Sequence, residues 1–114
     1  MKLIIAYIQP EKLEDVKKVL FDNGILRISI MNSVGHSNSN LGHKETYRGM
    51  EVDIDLIENI RLEIAVNDDF EKITVDAILN AGKTGEIGDG KIFVVPLEKC
   101  YRIRTGEEGR LAIG

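Results

Sequence analysis

Thr84-Gly85-Glu86-Ile87-Gly88-Asp89-Gly90-Lys91-Ile92-Phe93-Val94-Val95 decides what kind of fold this chain can adopt. Three glycines within six positions let backbone N–H groups turn toward an anion, and Lys91 sets a point charge beside them. From Gly85 to Lys91 the spacing matches the front of a P-loop, but Ile92 stands where Ser or Thr would hold Mg²⁺. Ile92 to Val95 also reads as a buried strand, whereas a P-loop opens a helix. The stretch is therefore a glycine-rich connection into a strand and a phosphate cradle of another kind; the plain alternative is a turn whose lysine faces water. Arg102-Ile103-Arg104-Thr105-Gly106 follows. On an extended segment residues two apart share a face, so Arg102 and Arg104 are expected to reach one polyphosphate, with Ile103 turned away.

Outward from this loop the elements alternate. Leu3 to Ile8 is an apolar run of the length of a strand buried on both faces. Pro10 suits a first helical turn, and Leu13, Val16 and Leu20 recur at helical spacing until Asn23-Gly24. Leu26, Ile28 and Ile30 alternate with Arg27, Ser29 and Met31, which predicts a second strand with one face on the core, ending near Gly35. His36 to about Met50 carries no sustained periodicity and is long for a connection in a small domain. Alternation resumes over Val52–Leu56 and, more strongly, Ile60–Val66. Asp68 with Glu71 three residues on predicts a helix cap, and Phe70, Ile73, Ala77, Ile78 and Ala81 mark a stripe ending at Gly82. A short extended tail through Arg104 is expected after the last strand.

This order is a split βαβ pattern, and a ferredoxin-like α+β sandwich satisfies it with two helices on one face of an antiparallel sheet. The other face then needs a cover. Residues such as Ile4 or Ile8 are expected to find it in a homo-oligomer.

The 114 residues, 43% of them hydrophobic, allow a single domain, 1–114, with one modest core. A net charge of −4, with 15 basic and 19 acidic residues interspersed, argues against nucleic acid or an acidic membrane as the main ligand. Cys100 is the only cysteine, which excludes a disulfide framework or a cysteine-based zinc site and suggests a reducing compartment. The N-terminal apolar run is too short for a signal sequence, and no run approaches the ~20 residues of a membrane span. His36 and His43 bring no third metal ligand and read as solvated loop residues.

At this point the chain resembles the PII nitrogen regulatory signal-transduction proteins from Met1 to Gly106, in order and in spacing. The opening Met-Lys-Leu-Ile with Gln9-Pro10-Glu11-Lys12-Leu13 is similar to the family's N-terminus. Thr84 to Val94 looks like its C-terminal signature, Arg102 to Gly106 like the arginine segment after it, and Tyr47-Arg48-Gly49 like the tip of its T-loop. The resemblance implies a ferredoxin-like βαββαβ homotrimer with ATP and ADP competing for three clefts between subunits. It also implies a T-loop at about 36–56 between the second and third strands, a Gly-rich B-loop at 83–91 and a C-terminal segment at 100–114. Carried over by position, Gly88, Asp89, Gly90 and Lys91 wrap the phosphates, and Arg102, Ile103 and Arg104 close on them from the next subunit. Ser29 keeps the hydroxyl of an adenine-binding threonine, Ala65 offers backbone to the base, and Gly35, Asn38 and Ser39 border the nucleotide from the loop's root.

The T-loop departs from the family pattern. Asn40 falls on a glutamine that holds Mg²⁺ and 2-oxoglutarate; its amide oxygen still suits a hard cation, so Mg²⁺ can bind with altered reach. The loop's start is one residue longer and lacks the arginine before that glutamine; Leu41 replaces a lysine, and Asn59 replaces another that contacts 2-oxoglutarate. A charge-assisted hydrogen bond contributes ~1.5–3 kcal/mol, so 2-oxoglutarate should bind ~10-fold or more weakly. Ordinary 2-oxoglutarate sensing is therefore not expected. Val52 and Met50 replace the residues that relatives modify, leaving no modification site, and Arg48 keeps the loop-tip arginine that plugs an ammonium channel, with Tyr47 beside it.

The expectation is a non-enzymatic, cytoplasmic nitrogen-signalling switch with no catalytic residues, bound to the membrane only through a partner. That partner is foremost an ammonium transporter, with glutamine synthetase or a nitrogenase-linked protein as alternatives. Two rivals remain: an ATP-hydrolysing or phosphate-transferring enzyme in which Asp89 orients a nucleophile, and a related trimer sensing bicarbonate or metal.

Overall fold

Ile4, Ala6 and Ile8 alternate into the core with Leu62 and Ile64 beside them, and two helices close over this central pair of strands. The computed structural model describes residues 1–36, 44–47, 50–53 and 56–114, with 44–47 and 50–53 described as backbone only. In chain order the elements are β1 (Lys2–Ile8), α1 (Leu13–Asp22) after a 3₁₀ turn at Pro10–Lys12, β2 (Ser29–His36), β3 (Lys44–Tyr47) and β4 (Met50–Asp53). They continue as β5 (Leu56–Val66), α2 (Glu71–Gly82) after a 3₁₀ turn at Asp68–Phe70, β6 (Lys91–Pro96) and a short α3 (Arg110–Ile113).

The main sheet has the order β2-β5-β1-β6, every pair described being antiparallel, which is the ferredoxin-like α+β architecture. Leu62, Ile64, Val16, Leu20 and Ile78 fill the space between sheet and helices. α1 ends in a turn at Gly24, where Ile25 donates its N–H to the Leu20 carbonyl at 2.9 Å. That turn drives Ile25 into the core and leaves Leu26 outside it.

Several expectations are corrected. Leu26 precedes the second strand, which starts at Ser29; Ile30 lies on the helix side opposite Leu62 but is 43% exposed. The reason is position: two helices cover β5 and β1 and leave the edges bare, as Val94 on β6 also shows. Ile4 and Ile8 are not on the uncovered face. They lie beneath the helices, and the open face carries Leu3, Ile5, Tyr7, Phe93 and Val95. Asp68 does not cap α2; its carboxylate takes the Met1 ammonium at 2.8 Å and Lys2 Nζ at 3.1 Å, charges that outcompete a backbone N–H. Phe70 and Ile73 are exposed, and the buried stripe of α2 runs through Thr74, Ala77 and Ile78, with the Thr74 hydroxyl donating to the Phe70 carbonyl at 2.7 Å.

The long connection between the second and third main-sheet strands holds structure of its own. β3 pairs with β4 from Lys44↔Asp53 to Tyr47↔Met50, and β2 with β5 runs on to His36↔Leu56, beyond the last pairing of β1 at Ile8↔Ile60. Asn38, Ser39, Asn40, His43 and Arg48 lie outside the described residues, as does the side chain of Tyr47.

Candidate functional site

The glycine-rich loop is organised from inside by Asp89. One carboxylate oxygen accepts the backbone N–H groups of Thr84 and Gly85, each at 2.9 Å. The other accepts the Thr84 hydroxyl and, at 3.3 Å, the Gln9 amide of the β1–α1 junction. Asp and Thr side chains capture nearby backbone donors in place of regular structure, which is why the chain turns here between α2 and β6. The Thr84 hydroxyl bond, the two N–H groups and the charge of Lys12 together hold the Asp89 carboxyl below the ordinary carboxylate range.

Gly90 lets the loop close against β1. Its φ is +91°, and a Cβ there would stand 1.8 Å from the Tyr7 carbonyl oxygen. Gly88, at φ +108°, packs near the Gln9 amide. Lys91 opens β6 opposite Tyr7 and is exposed. With Asp89, Gly90 and Lys83 it lines a cleft of about 440 Å³ whose floor is Ile8, Ile78 and Ile92. Gly88 and Gly90 in positive-φ conformations, with a lysine beside a cleft, can turn backbone N–H groups and a charge toward an anion. Asp89 is placed to shape that loop rather than to touch an anion.

The remaining candidates sit elsewhere on the sheet. Ser29 lies opposite Glu63 on the open face and Ala65 opposite Leu3 on the same face. Arg27 and Ala65 line a second cavity, also of about 440 Å³, with Phe70, Arg110 and Leu111. Gly35 is opposite Ile57 on the outer part of the β2–β5 ladder, with the Asn59 amide close by. Asn59, Ser33 and Glu58 line a smaller groove of about 230 Å³.

The arginine segment is not extended, which corrects the expectation that Arg102 and Arg104 share a face. Ile103–Thr105 form a turn in which Gly106 N–H meets the Arg102 carbonyl at 2.7 Å and Arg102 N–H meets the Glu107 carbonyl at 2.8 Å. Gly106, at positive φ, permits the reversal, and Tyr101 bridges to Glu108. The turn leaves Ile103 fully exposed and Arg104 exposed at its apex, while the Arg102 side chain folds back to donate to the Leu111 carbonyl at 2.8 Å.

Within one chain these groups do not meet. Lys91 lies beside Tyr7 near the end of β1, whereas the Arg102 partner Leu111 lies in the cavity beside Val66, whose sheet neighbour is Lys2. Five residues of strand separate the two rows, roughly 17 Å at ~3.3 Å per residue. Ser29 and Gly35 belong to β2 and Lys91 to β6, opposite edges roughly 14 Å apart over three strand spacings.

Sequence reading missed Gln9, Thr84 and Lys12 as supports of the loop. Thr84 and Asp89 were legible as a local pair of turn-forming side chains; Gln9 reaches the loop across 80 residues of chain and leaves no local signal. Among the described residues no group of three or more His, Cys, Asp or Glu side chains is placed to hold a metal, and no helix is long and apolar enough to cross a membrane.

The family model of nitrogen regulatory protein P-II matches residues 1–107. Nitrogen regulatory protein GlnK1 of Methanosarcina mazei is 46% identical over 115 aligned positions, covering 99% of this chain and 97% of the relative. Nitrogen regulatory protein P-II of Bradyrhizobium diazoefficiens is 44% identical and P-II 1 of Escherichia coli 43% identical, each over 99% of this chain and the whole of the relative.

Proposed function

This chain belongs to the nitrogen regulatory protein P-II family, a family of signalling regulators rather than enzymes, and from that premise we propose that it is a nucleotide-responsive nitrogen regulator. ATP and ADP compete for a site shared by neighbouring copies of a homotrimer. The Asp89-locked loop, with Gly88 and Gly90 at positive φ beside Lys91, carries this reading. Gly88, Gly90 and Lys91 grip phosphate, and Arg102 and Arg104 arrive from the next copy. Ser29 and Ala65 meet the base, and Gly35, Asn38 and Ser39 border it.

Division of these residues between opposite edges and ends of the sheet supports a site built between copies. The open apolar face supports the assembly that would make it. The carboxylate of Asp89 already accepts four hydrogen bonds, which disfavours it as a base for phosphate transfer.

The paired arm of β2 and β5, with the β3–β4 hairpin beyond, conveys nucleotide state to a partner, most directly an ammonium transporter engaged through Tyr47 and Arg48. A partner that favours one nucleotide state by ~1.4 kcal/mol is itself favoured tenfold by that nucleotide. Membrane recruitment of this otherwise cytoplasmic switch then follows from the partner. Asn40 offers Mg²⁺ an amide oxygen; 2-oxoglutarate, facing Asn59 and the neighbouring Glu58 in place of a lysine, contributes little.

Isothermal titration with ATP, ADP, and ATP with Mg²⁺ and 2-oxoglutarate tests the site. Lys91→Ala or Arg104→Ala should weaken ATP by ~1–3 kcal/mol without unfolding the domain. Equal affinity in variant and wild type would return both side chains to solvated surface. For the partner, capture from membranes of nitrogen-shifted cells should retain a transporter in one nucleotide state. Retention of glutamine synthetase or a nitrogenase component instead would redirect the assignment.

A further inference from the structure

Arg102 is aimed by a relay that begins on the far side of the C-terminal segment. The Asp69 carboxylate takes Arg110 in a two-pronged ion pair, 3.0 and 2.9 Å, and the Asn67 amide donates to the Arg110 carbonyl at 3.3 Å. These contacts seat α3 against the end of β5 and the start of α2. The next residue, Leu111, presents its carbonyl to Arg102 Nη2 at 2.8 Å. Glu107 stands 3.8 Å from the other terminal nitrogen, too far for a hydrogen bond, and among the described residues no carboxylate comes closer. The guanidinium is thus hydrogen-bonded to one neutral acceptor, with the Glu107 carboxylate at ion-pair distance, and has other N–H donors to offer.

We propose that Asp69 is a positioning residue for Arg102, acting through Arg110 and the Leu111 carbonyl to hold the guanidinium ready for the phosphates of a nucleotide in the neighbouring copy's cradle. This rests on the nucleotide reading above. The bidentate geometry matters because a fork-to-fork pair fixes direction as well as distance, and α3 is too short to hold its own orientation. Among the described residues, Arg102 is the one member of the proposed site that the relay hydrogen-bonds; Arg110 and Leu111 line a cavity with Ala65 without bonding to it, so the effect of the relay is expected at the phosphate end.

The test is calorimetric titration of ATP and of adenosine into the full chain, as wild type, Asp69→Asn, Arg110→Met, Arg102→Gln and the double variant Asp69→Asn/Arg102→Gln. Asp69→Asn and Arg110→Met should each weaken ATP about three- to tenfold and leave adenosine unchanged, and Asp69→Asn should add nothing once Arg102 is gone. Equal losses for ATP and adenosine, additive losses in the double variant, or unchanged ATP affinity would overturn the relay while leaving the nucleotide site standing. Loss of folding in both Asp69→Asn and Arg110→Met would make the pair a fold determinant and overturn it too. A wild-type chain that binds no ATP would overturn both readings.

Discussion

At position 90 the carbonyl of Tyr7 occupies the space a side chain would need, and the backbone there is left-handed. Gly90→Ala therefore combines a clash with a strained dihedral, and should cost on the order of 2–4 kcal/mol in urea denaturation while displacing the loop from β1. Asp89 makes a different prediction, because its role is electrostatic. Its folded-state pKa lies below the ordinary 3.8, so its hold on the loop is complete above that value and is lost as pH falls through the depressed one. The amide shifts of Thr84 and Gly85 should accordingly titrate with a midpoint below pH 3.8, and in Asp89→Asn they should be flat over that range. A midpoint at or above the ordinary value would remove Asp89 as the organiser.

Among the elements, the two helices cover the core that carries stability, and the edges of the sheet carry the residues of the proposed site. Leu20, wholly buried beneath the sheet, should cost ~2–5 kcal/mol as Leu20→Ala, read as a shift of the denaturation midpoint at constant slope. The two helices were legible because each buries a face with period 3.6, and burial is what writes a period into sequence; the first strand and the strand after the glycine loop read instead, from continuous apolar runs, as buried strands, whereas β1 fully buries only one face and most of β6 is exposed. Edge elements carry no such record. Ile30 alternates, and Val94 stands in an apolar run, as if each were covered, yet both are more than a third exposed, and the helix layer cannot be inferred from one strand's pattern. The arginine segment failed for a related reason: Arg-Ile-Arg imitates alternation, while the turn there is set by Gly106 and by a bond from its N–H to Arg102. For the candidate site, residue types and loop were readable, and the distribution over the sheet was not, because strand order β2-β5-β1-β6 is a non-local property.

For the molecule as a whole, the uncovered side of the sheet is the dominant unmet demand. Phe93 packs edge-on against Tyr7, with ring centroids 6.3 Å apart, and is still 48% exposed; Leu3, Ile5 and Val95 share that face. Placing a charge there, as Phe93→Asp, should convert the proposed trimer to smaller species in sedimentation while far-UV circular dichroism is retained. A trimer unaffected by that change would put its contacts on another surface. The distance between Lys91 at the start of β6 and Arg102, whose side chain is held to Leu111 beside the far end of the sheet, has a genetic consequence. On the proposed pocket, chains crippled at Lys91 or at Arg102 should each bind ATP weakly alone, but co-assembled they should complement: wherever an intact cradle abuts an intact arginine contributed by the other allele, one working pocket reappears in a ring built wholly of defective parts.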